Sequence, residues 1–276
     1  MKTPEILYNT YGGRVLLKVL TRPFLSKACG AFLDSRASLF LIRPFVNANR
    51  IDLSQFYSDD FKCFNDCFCR KIRPYLRPID DDPSAFVSPC DARLLVYEIK
   101  DGTVIPVKQA HYTIARLLHS RKTAKRYEGG YCLVFRLCVD NYHRYCYIDS
   151  GVKGENHFIG GKLHTVQPVA LEEIPVFTEN CREYTVMATD NFGPVVQMEV
   201  GAMLVGKIRN HHGRHEMKRG EEKGCFLYGG STVILLVQKD RVVIDDKILS
   251  ASAKGMETPV LMGELIGRKS RRHIRI

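Results

Sequence analysis

The spacing of apolar positions changes within the first third of the chain. Through residues 1–80 they recur loosely every three to four positions: Leu16, Val19 and Leu20, a break at Pro23, then Phe24, Leu25, Phe32 and Leu33, then Leu39 to Ile42. This is the period of helices that carry one apolar stripe. Arg14, Lys18, Arg22, Lys27, Arg36, Arg43 and Arg50 punctuate the stretch. A striped helix flanked by Lys and Arg can pack on a protein body or lie in a bilayer interface. Residues 1–80 are accordingly read as an N-terminal helical, membrane-associating region. A turn-rich connector, Arg73 to Pro83, follows.

From about residue 85 the pattern becomes short β-branched and aliphatic runs bounded by Gly, Pro, Asp and Asn. Leu94–Ile99, Tyr131–Val139, Arg182–Met187, Pro194–Ile208 and Thr232–Gln238 are the expected strands, with one helix at about 112–120. The fold class is α+β: a β-rich, sandwich-like core over 81–276 behind an amphipathic helical region.

With 45% hydrophobic and 26% charged residues in 276, the chain has globular composition, which excludes disorder and fibrous repeats. Its longest purely aliphatic run, Val233 to Val237, is far short of the roughly 18 residues of a membrane span. Met1 to Gly13 shows no signal-type apolar region. The expectation is a soluble or peripherally bound protein. The net charge of +11 sits at the ends: +7 over 1–78, +5 over 268–276 and −1 between them. Basic ends suit an anionic partner, a lipid surface or nucleic acid, or are simply solvated.

Ten cysteines in a chain of this length without an export signal are read as reduced thiols. Cys63, Cys67 and Cys69 lack a zinc-knuckle spacing. His211, His212 and His215 lie in a polar, Gly-containing stretch read as a loop, so no metal is expected. Four segments carry residues capable of chemistry: Ser88-Pro-Cys-Asp-Ala-Arg93, Asp140-Asn-Tyr-His-Arg-Tyr-Cys146, Phe192-Gly-Pro194 with Val200-Gly-Ala202, and Gly229-Gly-Ser-Thr232. Each alone is weak. Ser231 is not in a G-x-S-x-G elbow, and no phosphate-binding glycine loop is present.

Together and in this order, these segments resemble the phosphatidylserine decarboxylases. The resemblance starts at Leu7-Tyr-Asn-Thr-Tyr-Gly-Gly-Arg14 and Phe64-Asn-Asp-Cys-Phe-Cys-Arg70. It runs through Tyr142-His-Arg144, Val176-Phe-Thr-Glu-Asn180 and Lys218-Arg-Gly-Glu-Glu-Lys-Gly224, and ends at Gly230-Ser-Thr232. It is closest to the bacterial pyruvoyl-dependent form with an extended amino end. It implies a catalytic domain over 81–276, self-cleaved between Gly230 and Ser231 into a β chain (1–230) and an α chain (231–276). Ser231 would become a covalent pyruvoyl group, the only cofactor. Phosphatidylserine in a membrane would be decarboxylated to phosphatidylethanolamine through a Schiff base with that group. The implied location is the cytoplasmic face of the cell membrane, as a peripheral protein. Nucleic acid is not an expected partner, and the oligomeric state stays open.

The resemblance assigns chemistry to Asp91, His143 and Ser231. Two positions depart from the family pattern. Ala92 replaces a Gly, and Cys146 stands where many members have the second His of Y-H-R-x-H, usually the base for self-cleavage. Candidates for that base are His143, then His164, then Cys146. A β-rich nucleic-acid-binding protein and a catalytically dead family member are the alternatives.

Overall fold

The computed structural model describes residues 23–100, 103–107, 110–162, 164–165, 176–202, 208–227 and 231–271. Leu16, Val19, Leu20, Gly229 and Gly230 lie outside them. The chain opens with helix α1 (Pro23–Leu33), a 3-10 turn (Arg36–Leu41), α2 (Ile42–Ala48) and α3 (Phe64–Phe68). The apolar stripe divides here. Leu33, Leu41, Ile42 and Phe45 turn inward onto Phe64, Phe68, Cys69, Cys225 and Leu227. Phe32, Leu39 and Phe40 face outward, Phe40 with 69% of its surface exposed.

The strands then follow: β1 (Ala85–Val87), β2 (Ala92–Glu98), β3 (Thr103–Val107), β4 (Ala110–Thr113), β5 (Tyr131–Leu137), β6 (Arg144–Cys146), β7 (Gly151–Lys153) and β8 (His157–Ile159). After them come β9 (Arg182–Thr189), β10 (Gly193–Val200), β11 (Ile208–Asn210), β12 (His215–Met217), β13 (Glu222–Phe226), β14 (Ser231–Val237), β15 (Val242–Ile244), β16 (Thr258–Val260) and β17 (Leu265–Lys269). Between them lie α4 (Ile114–Leu118), α5 (Arg121–Lys125), α6 (Val176–Glu179) and α7 (Asp246–Ala253).

A nine-stranded antiparallel sheet dominates, ordered β12-β7-β9-β10-β14-β5-β2-β16 with β8 also on β9. Its central strand β14 is buried at every position, and the pleat sends alternate side chains to two cores. Val233, Leu235 and Val237 meet Phe86 of β1 and Ile266 of β17 on one face. Ile234 and Leu236 meet Leu117 of α4 and Phe177 of α6 on the other. A sheet covered on both faces needs an unbroken apolar run, which Val233–Val237 supplies. The small sheets β1-β17-β15 and β11-β13-β6 complete the α+β architecture.

Three sequence expectations change. The helix expected at 112–120 starts only at Ile114, because residues up to Thr113 pair in the β3–β4 hairpin and Thr113 caps the helix, accepting from the Arg116 N–H. The run Pro194–Ile208 is not one strand: β10 ends at Val200 and β11 starts at Ile208. Nor is the basic cluster 268–276 wholly a tail. Arg268 and Lys269 belong to β17 between β1 and β15, and Arg268 Nη1 lies 3.0 Å from Asp82 Oδ2.

Candidate active site

Sheet register collects the chemistry at one end of the large sheet. β14 begins at Ser231, opposite Leu137 at the end of β5, and Thr232 pairs with Val200 at the end of β10. Asp91 immediately precedes β2, whose Arg93 pairs with Arg136. His143 follows β5 through a tight turn in which the Cys138 N–H donates to Asn141 Oδ1 (2.7 Å). His164 lies beyond β9, held by Asn180: its N–H donates to Asn180 Oδ1, and Asn180 Nδ2 donates to the carbonyls of His164 and Gly201. Ser231 is thus central, with Asp91 two strands away on one side and His164 two strands away on the other.

Ser231 is wholly buried, and among the described residues its hydroxyl has no hydrogen-bond partner; the same holds for Thr232. Leaving a buried hydroxyl unmatched costs about 1–3 kcal/mol. Such a site fits a residue kept for reaction rather than for stability, and a modified residue 231 would start a strand already locked between β10 and β5.

Asp91 is equally buried but fully engaged. Arg77 grips it with Nε on Oδ1 (2.7 Å) and Nη2 on Oδ2, and the Met262 N–H donates to Oδ1 (2.9 Å). The turn before it is pinned as well: the Cys146 N–H donates to the Pro89 carbonyl and the Gly263 N–H to the Ser88 carbonyl. Cys146 therefore sits beside the carboxylate, where the resemblance would put an Asp-supported histidine. Burial pushes its thiol up to about 12, and the Asp91 charge adds to the shift. At neutral pH Cys146 is a thiol, a poor base.

His143 is wholly buried, its ring centroid 4.0 Å from that of Phe68. Its Nδ1 lies 2.9 Å from the Asn141 carbonyl oxygen, which can only accept. The ring proton therefore sits on Nδ1 and the lone pair on Nε2, which has no partner. Burial pulls this imidazole down to about 3, with the Arg70 guanidinium acting in the same direction. Its carbonyl accepts from the Phe226 N–H (3.0 Å), tying it to the end of β13. His164 Nε2 lies 3.4 Å from Glu179 Oε2, and burial also lowers its pKa.

Among the described residues neither histidine bonds Asp91, and His164 stands four strands from β2, so the expectation that folding might bring it beside Asp91 is not met. Sequence reasoning missed Arg77. In a connector of Arg, Pro and Asp it looked like one solvated charge among several, and nothing local announces that it closes on a residue 14 positions ahead.

The family model described as phosphatidylserine decarboxylase matches residues 64–268. Phosphatidylserine decarboxylase proenzyme 2 of Clostridium acetobutylicum is 44% identical over 265 residues, covering 95% of this chain and 90% of the relative. The phosphatidylserine decarboxylase proenzymes of Clostridium botulinum and Clostridium tetani are 42% and 40% identical, each over 268 residues and 95% of this chain, and 91% and 90% of their own lengths. The matched span and the level of identity show the family: the chain belongs to the phosphatidylserine decarboxylases.

Proposed function

We propose that this protein converts phosphatidylserine to phosphatidylethanolamine with a pyruvoyl group that it makes from Ser231. The observation that carries this function is the buried, partnerless Ser231 hydroxyl at the head of a fully buried central strand. Relatives named as proenzymes support a precursor that is processed.

Self-cleavage asks for a nucleophile, a base and an uncrowded carbonyl. Ser231 is the nucleophile, and its target is the carbonyl of Gly230, where two adjacent glycines offer no side chain to obstruct the attack. His143 is the base by its free lone pair. Its Nε2 is fixed by the Nδ1 bond to Asn141 and stays unprotonated at neutral pH; neither it nor the Ser231 hydroxyl has a partner among the described residues, so the proton transfer requires the two to approach. Cys146 is excluded as a base by its raised pKa, and Asp91, closed on Arg77, acts as an anchor for the 88–91 turn and β6. Once formed, the pyruvoyl group supplies a ketone for the substrate amine and a sink for the electron pair freed as CO2 leaves. Ser231 suits that role because the register with β10 and β5 holds residues 232–237 when the bond before 231 is broken.

Residues 1–80 form the membrane-associating region and 81–276 the catalytic domain. Attachment is peripheral, at the cytoplasmic face of the cell membrane. Among the described residues no helix is long and apolar enough to cross a membrane. The outward Phe32, Leu39 and Phe40 lie among exposed Arg36 and Arg43, a pairing of apolar and cationic groups suited to an anionic bilayer surface.

The test uses vesicles containing phosphatidylserine labelled at the serine carboxyl. Wild-type protein should release labelled CO2 and leave phosphatidylethanolamine, and Ser231→Ala should do neither. A cleaved wild-type protein with no release from phosphatidylserine would overturn the substrate assignment.

A further inference from the structure

We propose a divalent transition-metal site, of zinc type, formed by His212, His215 and Glu221, independent of the decarboxylation chemistry. The three donor atoms lie within 4.8 Å of one another. The two imidazoles are stacked in parallel, centroids 3.8 Å apart at 7°, so the His215 ring must turn about its Cβ–Cγ bond to bring its lone pair onto an ion that His212 also holds. His215 Nε2 is 2.9 Å and His212 Nε2 3.8 Å from the same oxygen, Glu221 Oε1. Two ring nitrogens and a carboxylate oxygen are a zinc donor set, and three protein ligands leave a fourth position for water. Calcium and magnesium, which prefer all-oxygen ligands, fit poorly.

Each ligand is independently held. The Tyr147 hydroxyl lies 3.1 Å from His212 Nδ1, which turns Nε2 toward Glu221; metal-bound histidines commonly engage their other nitrogen in this way. The His212 carbonyl accepts from Asn156 Nδ2 (3.0 Å) and the Gly213 carbonyl from Lys153 Nζ (2.7 Å). His215 starts β12, paired with Lys153 of β7. Glu221 Oε2 accepts from the Lys218 N–H (3.0 Å). Neighbouring His211 is committed elsewhere, to Glu222 Oε1 at 2.6 Å. All three ligands remain partly exposed, at 28–31% of their side chains, so an ion can enter from solvent. A bound ion would clamp the β11–β12 loop and the start of β12 to the residue just before β13. Sequence spacing hid this site because Glu221 joins the histidines only across the β12–β13 turn.

The experiment uses the full chain without an affinity tag, stripped with a chelator, and titrated with Zn2+ and Co2+ against a chromophoric competitor. Wild type should bind one more equivalent than His212→Ala/His215→Ala. Glu221→Gln should weaken that equivalent at least about tenfold, in line with the loss of a ligand. The Co2+ form should show visible d–d bands without thiolate charge transfer, which separates this site from the ten cysteines. Because the variants could misfold, Co2+ is also added to wild type alone, where the His212 and His215 imidazole NMR resonances should shift. Equal stoichiometry in wild type and the double variant, or imidazole signals unmoved at saturating Co2+, would overturn the proposal.

Discussion

Replacing Cys146 by alanine should leave self-cleavage running, although the resemblance in sequence would put the self-cleavage base at this position. The thiol has a pKa of about 12, so ionising it at pH 7 costs about 7 kcal/mol at 1.36 kcal/mol per unit, leaving about one molecule in 10^5 as thiolate. Loss of one buried sulfur costs about 1–2 kcal/mol in packing, too little to unfold a typical domain. His143→Gln should instead slow cleavage by about 10^2, the low end of a general base's contribution, because an imidazole depressed to about 3 is a weak base. The pH profile separates the two bases further. A thiolate base makes the rate rise about tenfold per pH unit through neutrality, whereas an imidazole depressed to about 3 is already neutral and gives a flat rate from pH 5 to 8. Cell-free synthesis, sampled over time by gel and intact mass, reports both. A Cys146→Ala chain that stays whole, beside a His143→Gln chain cleaved at the wild-type rate, would refute the assignment.

Other outcomes follow from the same geometry. Lys223 and Glu199 are wholly buried and joined by two 2.8 Å bonds, so Lys223→Met should cost about 3–5 kcal/mol in urea unfolding, and Lys223→Met/Glu199→Met much less. The folded-state pKa of His143 is depressed from 6.5 to about 3. The unfolded chain therefore takes that proton first, and the stabilisation present above pH 6.5 is lost at up to about 1.4 kcal/mol per unit as pH falls toward 3; His143→Phe should remove this component from the acid-unfolding curve. Phe40→Asp combined with Arg43→Glu should lower partition onto anionic vesicles at least about tenfold, given about 1–2 kcal/mol for Phe40 alone, and added salt should weaken wild-type binding too. Unchanged sedimentation with vesicles would show that this face is merely solvated.

How much was legible depended on how local each signal is. β14 and most of β5 announced themselves as unbroken apolar runs because both their faces are covered, and β2 and β9 as alternating runs of β-branched, aliphatic and polar residues. Asp91, His143 and Ser231 were singled out through ordered motifs. Their shared position at one end of the sheet is a consequence of antiparallel register that no single segment contains. Residues whose role depends on distant partners were invisible: Arg77 closing on Asp91, and Lys223 on Glu199. The split of the N-terminal stripe was equally hidden, since Leu33 and Phe40 are equivalent in sequence and differ only in whether Phe64 and Phe68 lie opposite.

Conversion of Ser231 is tested most directly by intact mass of purified protein, with and without borohydride. Wild type should yield chains 1–230 and 231–276, the shorter about 5 kDa by its share of the chain. The shorter chain should be blocked to Edman sequencing and should gain two hydrogens on reduction, and Ser231→Ala should remain a single species of about 31.4 kDa. A wild-type chain that remains whole, or cleavage that persists in Ser231→Ala, would contradict it.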